Sequence, residues 1–316
     1  MSKLVTAEEF CKLTEEGCAK FNTLYKITKE TNLDEFPWDY ELSDHLPVYF
    51  DDGKSGFKIM SFNVNNPKFS RHLSRSTHHG EQEDISQRIS ESNLAKKALD
   101  DGRLHALAVF ILHRVMQGFV VCLQEVGNGL HTKLREIVNQ SYGSYAFHIR
   151  DSEFKCNSGE RMYDCNSVLF DMFRYTLVEV SAMVLTEANL INNHLDVLTL
   201  KSTENEKMLI KLANVHVKFR YNHKYARAFA AAASDLTVPL FVCGDFNCSS
   251  RYPKRPHDPA DHLMDHYSDP NFAFARHAPH VLQYSHVGRF DNAKSTYNQL
   301  DCIDYIMVVR PDLLTF

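Results

Sequence analysis

Five times along this chain an apolar run of strand length carries a polar side chain at or near its end. Ile59–Val64 delivers Asn63, Phe119–Val126 delivers Glu125, and Lys211–Val217 delivers His216. Leu240–Asn247 delivers Asp245 and Asn247, and Cys302–Met307 carries Asp304 amid Ile303, Tyr305 and Ile306. Short apolar runs bounded by polar and turn-forming residues read as buried strands. Taken singly, each polar residue has a plain structural role: Asn63 as a turn cap, Asp245 in a Gly-Asp turn, His216 as a hydrogen-bonded core histidine. Taken together they are an oxygen-rich set of carboxylates and amides plus imidazole. Such a set suits a hard cation such as Mg²⁺ and a phosphate ester better than it suits zinc.

Composition narrows the class further. With 316 residues, 44% hydrophobic and 24% charged, the chain can bury a sizeable core as one large domain or two small ones, and disorder or low complexity is excluded. Runs such as Ala106–Leu112 and Phe119–Leu123 are too short to span a bilayer. Met1–Phe10 lacks a basic segment followed by an apolar one, so an intracellular, cytoplasmic protein without stable membrane association is expected. A net charge of −5 argues against a basic DNA-coating protein but not against a nucleic-acid enzyme, because metal-binding carboxylates make the total negative. None of the eight cysteines forms a C-x-x-C pair, and Cys122 and Cys243 lie inside apolar runs, which predicts reduced, mostly buried thiols.

Along the chain, Thr6–Lys29 shows apolar residues at helical spacing, and Asn32–Tyr40 reads as a loop broken by Pro37. Leu46–Phe50 and Phe57–Val64 flank a polar, glycine-containing loop and predict a hairpin. Asn65–Asp84 is a polar loop containing Arg71, His72, Arg75, His78 and His79; a solvated loop near an anionic substrate fits it better than a metal tract. Ile85–Met116 predicts two helices broken near Asp100-Asp101-Gly102, and Leu130–Gln140 another helix. Strands are expected at Tyr145–Arg150, Asn166–Phe170, Thr176–Val184, Asp196–Leu200, Met208–Val217, Pro239–Cys243 and Cys302–Val309. A helix is expected at His223–Leu236 and a loop-rich stretch at Cys248–Gln283. No internal repeat is visible. Strands and helices without a regular βαβ alternation suggest an α+β layered sandwich.

Ser61-Phe62-Asn63-Val64, Leu123-Gln124-Glu125-Val126, Asn214-Val215-His216-Val217, Gly244-Asp245-Phe246-Asn247 and Ile303-Asp304-Tyr305-Ile306 resemble, in order, the motifs of the endonuclease/exonuclease/phosphatase superfamily. That resemblance implies a four-layered α/β sandwich of two mixed β-sheets flanked by helices. Family members close with a strand bearing Ser-Asp-His and a nearby proline, yet Met307–Phe316 contains no such triplet. It stands near the front instead, as Ser43-Asp44-His45-Leu46-Pro47. The expectation is a circular permutation. Residues 1–41 would form an N-terminal helical extension whose protein partner the sequence does not identify, and 42–316 a catalytic domain with the family's last strand (42–50) placed first.

By the same resemblance, Glu125 and Asn63 would hold Mg²⁺ or Mn²⁺, with Asp44 as a further metal or network residue. Asp245 would orient or activate the attacking water, and Asn247 would fix its neighbours or the phosphate. His45 would pair with Asp304, which sets its tautomer. His216 would donate to a non-bridging oxygen, and Tyr163 would contact the phosphate. Val121–Val126, Val242–Asn247, Phe173–Val178 and Ser295–Asn298 are most similar in style to the deadenylase-type exonucleases, implying RNA or single-stranded nucleic acid as substrate. The segment before Asp304 does not match that of the inositol-polyphosphate 5-phosphatases. Arg251, Lys254, Arg255 and His257 with Tyr252 form a basic loop suited to a phosphate backbone or a stacked base. A phosphodiesterase or phosphatase acting on a lipid or a small phosphorylated molecule is the competing enzyme reading. A catalytically silent binding scaffold is the competing non-enzyme reading, against which stands the cost of burying so many charges without a metal.

Overall fold

The computed structural model describes residues 3–6, 8, 43, 45, 47–51, 53, 56–64, 93–141, 147–151, 165–185, 194–205, 208–217, 221–248, 262–276, 286–292, 295–301 and 303–314. The expected helices at 6–29, the histidine-bearing loop at 65–84, the basic loop at 251–257, Asp44 and Tyr163 lie outside that set, save isolated positions of the first. In chain order the elements begin with β1 (Lys3–Val5), β2 (Val48–Asp51), β3 (Lys58–Asn63), α1 (Asn93–Met116), β4 (Phe119–Val126) and α2 (Asn128–Ser141). Next come β5 (Phe147–Asp151), β6 (Cys165–Asp171), β7 (Tyr175–Val184), β8 (His194–Ser202), β9 (Leu209–His216) and α3 (Asn222–Ala233). Then come β10 (Leu240–Asp245), α4 (Leu263–His266), β11 (Phe272–Arg276), β12 (His286–Asn292), β13 (Ser295–Asp301) and β14 (Asp304–Val309), followed by a single 3-10 turn at Pro311–Leu313.

Two mixed sheets carry the fold. One has five strands in the order β2-β3-β4-β6-β5, the other seven in the order β1-β11-β14-β10-β9-β8-β7, and β12-β13 form a separate pair. Each large sheet has a parallel pair near its centre, β3 with β4 and β9 with β10, while their other pairings are antiparallel. The predicted hairpin is present, with Val48 opposite Ser61 and Asp51 opposite Lys58.

Alternation of side chains builds three buried layers from these strands. Between the sheets, Phe57, Ile59, Val120, Cys122 and Phe170 meet Leu198, Ile210, Leu212, Phe241, Cys243, Ile306 and Val308. The opposite face of the five-stranded sheet (Met60, Phe62, Val121, Leu123, Leu169) packs on Leu104, Leu107, Ala108, Ile111, Leu112 and Val115 of α1 and on Leu130 and Leu134 of α2. That stripe on α1 has the i, i+3, i+4, i+7 spacing of one helix face. The outer face of the seven-stranded sheet (Leu240, Val242, Tyr305, Met307, Val309) packs on Ala226, Phe229 and Ala233 of α3 and Leu263 of α4. Helices thus cover both outer faces of an α/β sandwich.

The structure differs from the sequence expectation in four places. First, α1 runs unbroken through Asp100-Asp101-Gly102. A mid-helix glycine costs only about 1 kcal/mol, which helix propagation and the packing of Leu104–Val115 outweigh. The helix stops instead at Gly118, whose φ of 89° suits a glycine just past a helix end. Second, Lys3–Val5 is an edge strand paired with Phe274–Arg276, too short to leave a periodic signal. Third, the stretch read as loop at 248–283 contains α4 and β11. Fourth, β12 and β13 form a seven-pair hairpin from polar sequence with no alternation to betray it. Cys122, Cys243 and Cys248 are buried as expected, and burial together with the Cys122 contact pushes the Cys243 thiol well above its usual range. No described helix is long and apolar enough to cross a membrane.

Candidate active site

The polar strand ends converge. Asp245, at the end of β10, stands beside His216 at the end of β9 and opposite Asp304 at the start of β14. Asn63 and Glu125 reach the same place from β3 and β4. His45, just before β2, completes the group: its Nδ1 lies 2.8 Å from Asp304 Oδ2, across 259 positions of sequence, and its Nε2 lies 4.0 Å from Asp245 Oδ2. Asn63 Nδ2 donates to Glu125 Oε1 at 3.1 Å and to Asp245 Oδ2 at 3.0 Å. His216 Nε2 lies 3.6 Å from Glu125 Oε1 and 3.7 Å from Asp245 Oδ2.

Exposure is graded through this cluster. The side chains of Asp304 and Asp245 are 0% and 2% accessible and that of His45 is 8%, against 16% for Glu125 and 27% for His216. The Asp304–His45 pair is therefore the floor, and Glu125 and His216 form the open rim.

Local backbone features aim these groups. Glu125 has φ of 56° and falls where the β4–β6 register shifts between Leu123 and Val126. A bulge of this kind redirects a side chain, and the left-handed conformation of a non-glycine residue is strain held by its surroundings. Asn247 has φ of 46° and works as a clamp: its N–H donates to Asp245 Oδ1 at 2.7 Å and its Nδ2 to Val217 O at 3.0 Å. Gly244 (φ 151°) is not in a turn but inside β10, where a Cβ would fall 1.8 Å from Val215 O. Only glycine lets β10 lie this close to β9.

Sequence reasoning missed Ser43. Its Oγ donates to Asn63 O at 2.8 Å and accepts from His45 N–H at 3.1 Å, tying the segment before β2 to the end of β3. Its place in the Ser-Asp-His triplet was the available signal. Arg103 was also missed; its guanidinium donates to Val64 O at 2.5 Å and anchors α1 to the same strand end.

The donor set bears on a metal. Glu125, His216 and Asp245 offer one ligand atom each within 4.8 Å of one another, and so do His45, Asp245 and Asp304. Two carboxylates converging on one point repel unless a cation or protons intervene, so the first group fits a divalent ion. The Asn63 amide presents its NH₂ to both carboxylates, and a half-turn of that amide would present its oxygen.

Acids and imidazoles are thus gathered at the shared strand ends of a two-sheet sandwich, and the sequence that builds this arrangement falls in a known family. The sequence profile of the Endonuclease/Exonuclease/phosphatase family matches residues 60–316, and the chain belongs to that family. It is a hydrolase of that phosphodiesterase and phosphatase group, with a buried His/Asp cluster consistent with a metal site. The crystal structure of ANGEL2, a 2′,3′-cyclic phosphatase, matches with a TM-score of 0.51 and 14% identity over 84% of this chain and 86% of that one. A family protein from Bacteroides thetaiotaomicron matches with a TM-score of 0.46 and 12% identity over 84% and 85%. The human Nocturnin catalytic domain with bound sulfate anion matches with a TM-score of 0.37 and 16% identity over 64% and 74%. At such identities the likeness is one of fold. No curated protein sequence gives a significant match.

Proposed function

We propose that this protein is a Mg²⁺-dependent phosphodiester hydrolase acting on RNA or single-stranded nucleic acid as a deadenylase-like 3′ exonuclease. The observation that carries the reading is the buried His45–Asp304 pair at 2.8 Å, set against Asp245 and the Asn63–Glu125–His216 group. Asp304 accepts from Nδ1 of His45, which fixes the tautomer and turns Nε2 towards Asp245. Asp245, with its second oxygen held by Asn247 N–H, orients the attacking water and takes its proton. His216, on the open rim, donates to a non-bridging phosphate oxygen. Glu125 and Asn63, with Asp44, are the residues that would hold Mg²⁺, whose chemistry there is to neutralise phosphate charge and stabilise the leaving oxygen. Tyr163 is assigned a phosphate contact by resemblance alone. The free, buried Cys122 and Cys243 fit the intracellular setting proposed with this role.

The test is hydrolysis of bis-p-nitrophenyl phosphate with Mg²⁺, with EDTA, and by Glu125→Gln. Expected are turnover by the parent, loss with EDTA, and a fall of about 10²-fold or more for Glu125→Gln. A parent without Mg²⁺-dependent turnover would support a silent scaffold. The substrate panel is poly(A) RNA, single-stranded DNA, RNA ending in a 2′,3′-cyclic phosphate, and sphingomyelin liposomes. Ladders shortened from the 3′ end support the exonuclease; turnover confined to the cyclic end or the liposomes rejects it.

The proposal includes the circular permutation, with residues 42–50 as the family's closing strand. It is supported by the β2–β3 pairing, by the His45–Asp304 contact, and by Leu314 packing on the core layer that contains Val48 and Phe50. A chain beginning at residue 56, with 42–50 joined after 316 through a flexible linker, is expected to fold and keep its hydrolytic activity. A folded but inert product would sink the permutation.

A further inference from the structure

The site is assembled from two sheets: Asn63 and Glu125 stand on the five-stranded one, and His216, Asp245 and Asp304 on the seven-stranded one. The contacts between these halves are 3.0 Å (Asn63 to Asp245) and 3.6 Å (Glu125 to His216), so the sheets must hold their relative position to a fraction of an ångström. Apolar packing between sheets is non-directional and defines such a register poorly. Beneath the site, however, buried amides cross the gap. Asn214 of β9 donates through Nδ2 to Leu123 O at 2.8 Å and to Ser167 O at 3.0 Å, and its Oδ1 accepts from Gln124 Nε2 at 2.7 Å. Its own carbonyl accepts from Asn166 Nδ2 at 3.2 Å. Gln124 Nε2 also reaches Ser61 Oγ of β3 and Cys122 O, each at 3.3 Å.

Asn214 is 7% exposed and Gln124 0%. Burying two amides costs free energy that two leucines would not, so packing alone does not explain them. Their positions do. Gln124 directly precedes Glu125, Asn214 stands two residues before His216, and Ser61 two before Asn63. We infer that Asn214 and Gln124 are positioning residues that lock Glu125 and Asn63 at a fixed distance from His216 and Asp245. The inference rests on the metal-dependent reading above, because it concerns the cage those four side chains form.

The experiment compares the full chain with Asn214→Ala, Gln124→Met and, as a control, Ile210→Ala, which removes inter-sheet packing from the same strand without touching an amide. Urea stability, Mn²⁺ binding by electron paramagnetic resonance, and kcat and KM on bis-p-nitrophenyl phosphate are measured at a temperature where all are folded. Asn214→Ala is expected to weaken Mn²⁺ binding about 10-fold and to lower kcat about 10–100-fold with KM little changed. Ile210→Ala, at similar stability loss, stays within about threefold of the parent on both. Gln124→Met shifts in the same direction as Asn214→Ala by less, and it decides alone if Asn214→Ala does not fold. Mn²⁺ affinities of the amide variants equal to that of Ile210→Ala overturn the inference. A parent that binds Mn²⁺ yet hydrolyses nothing counts against the proposed activity only, because the binding comparison still judges the amides. A parent that does neither overturns both.

Discussion

Replacing His45 is expected to lower kcat on bis-p-nitrophenyl phosphate by about 10²–10⁴-fold, the range for losing a group positioned at the reacting centre, whether as base or as stabiliser. His45→Ala would also remove the imidazole that meets the fully buried Asp304 at 2.8 Å, and taking a hydrogen-bond partner from a buried carboxyl group is destabilising. His45→Asn separates the two effects, since its amide can still donate to Asp304 while lacking the second ring nitrogen that faces Asp245. The expected result is a folded protein with the same loss of turnover. Asp304→Asn gives the complementary case, with the imidazole present but its tautomer no longer fixed. A His45→Asn protein within threefold of the parent would remove His45 from the chemistry.

The largest expected loss of stability is at Gly244. A methyl group there meets the Val215 carbonyl at 1.8 Å, well inside contact distance, and the clash is with backbone rather than with a side chain that could rotate away. The φ of 151° adds strain for any L-residue with a Cβ. Gly244→Ala is expected to cost more than about 3 kcal/mol in urea unfolding, or to prevent folding, which puts it among the severe overpacking cases. Relief would require β9 and β10 to part where Val215 and Gly244 pair, displacing His216 and Asp245 one residue further on. A Gly244→Ala protein within 1 kcal/mol of the parent would mean that β10 does not approach β9 this closely.

Much of this architecture is legible in the sequence because the runs containing Ile59, Val121, Val242 and Met307 are apolar almost throughout, as strands buried on both faces require. The polar residues ending these runs are legible only as a set: each alone has a plain structural role, and their recurrence at five strand ends is the signal. His45 is different. No periodicity marks it, and it came into view only through the Ser-Asp-His triplet and the resemblance that triplet carries. What stayed hidden depends on partners rather than on pattern. Lys3–Val5 becomes a strand because Phe274 and its neighbours are there to pair with. Gly102 is tolerated within α1 because the following turns are packed on the five-stranded sheet. Asn214 reads as one more polar residue in a motif, and its reach to Leu123 and Ser167 requires knowing that the two sheets face each other at that point.

The separation of His45 from Asp304 has a consequence for synthesis. During translation one member of the pair emerges early and waits for nearly the whole polypeptide before the other appears, and closing so long a loop is slow. Any hydrolysis that needs the pair is therefore deferred until the nascent chain has passed the start of β14. Under the proposed mechanism, products of premature termination or proteolytic trimming that lack either member would be inactive.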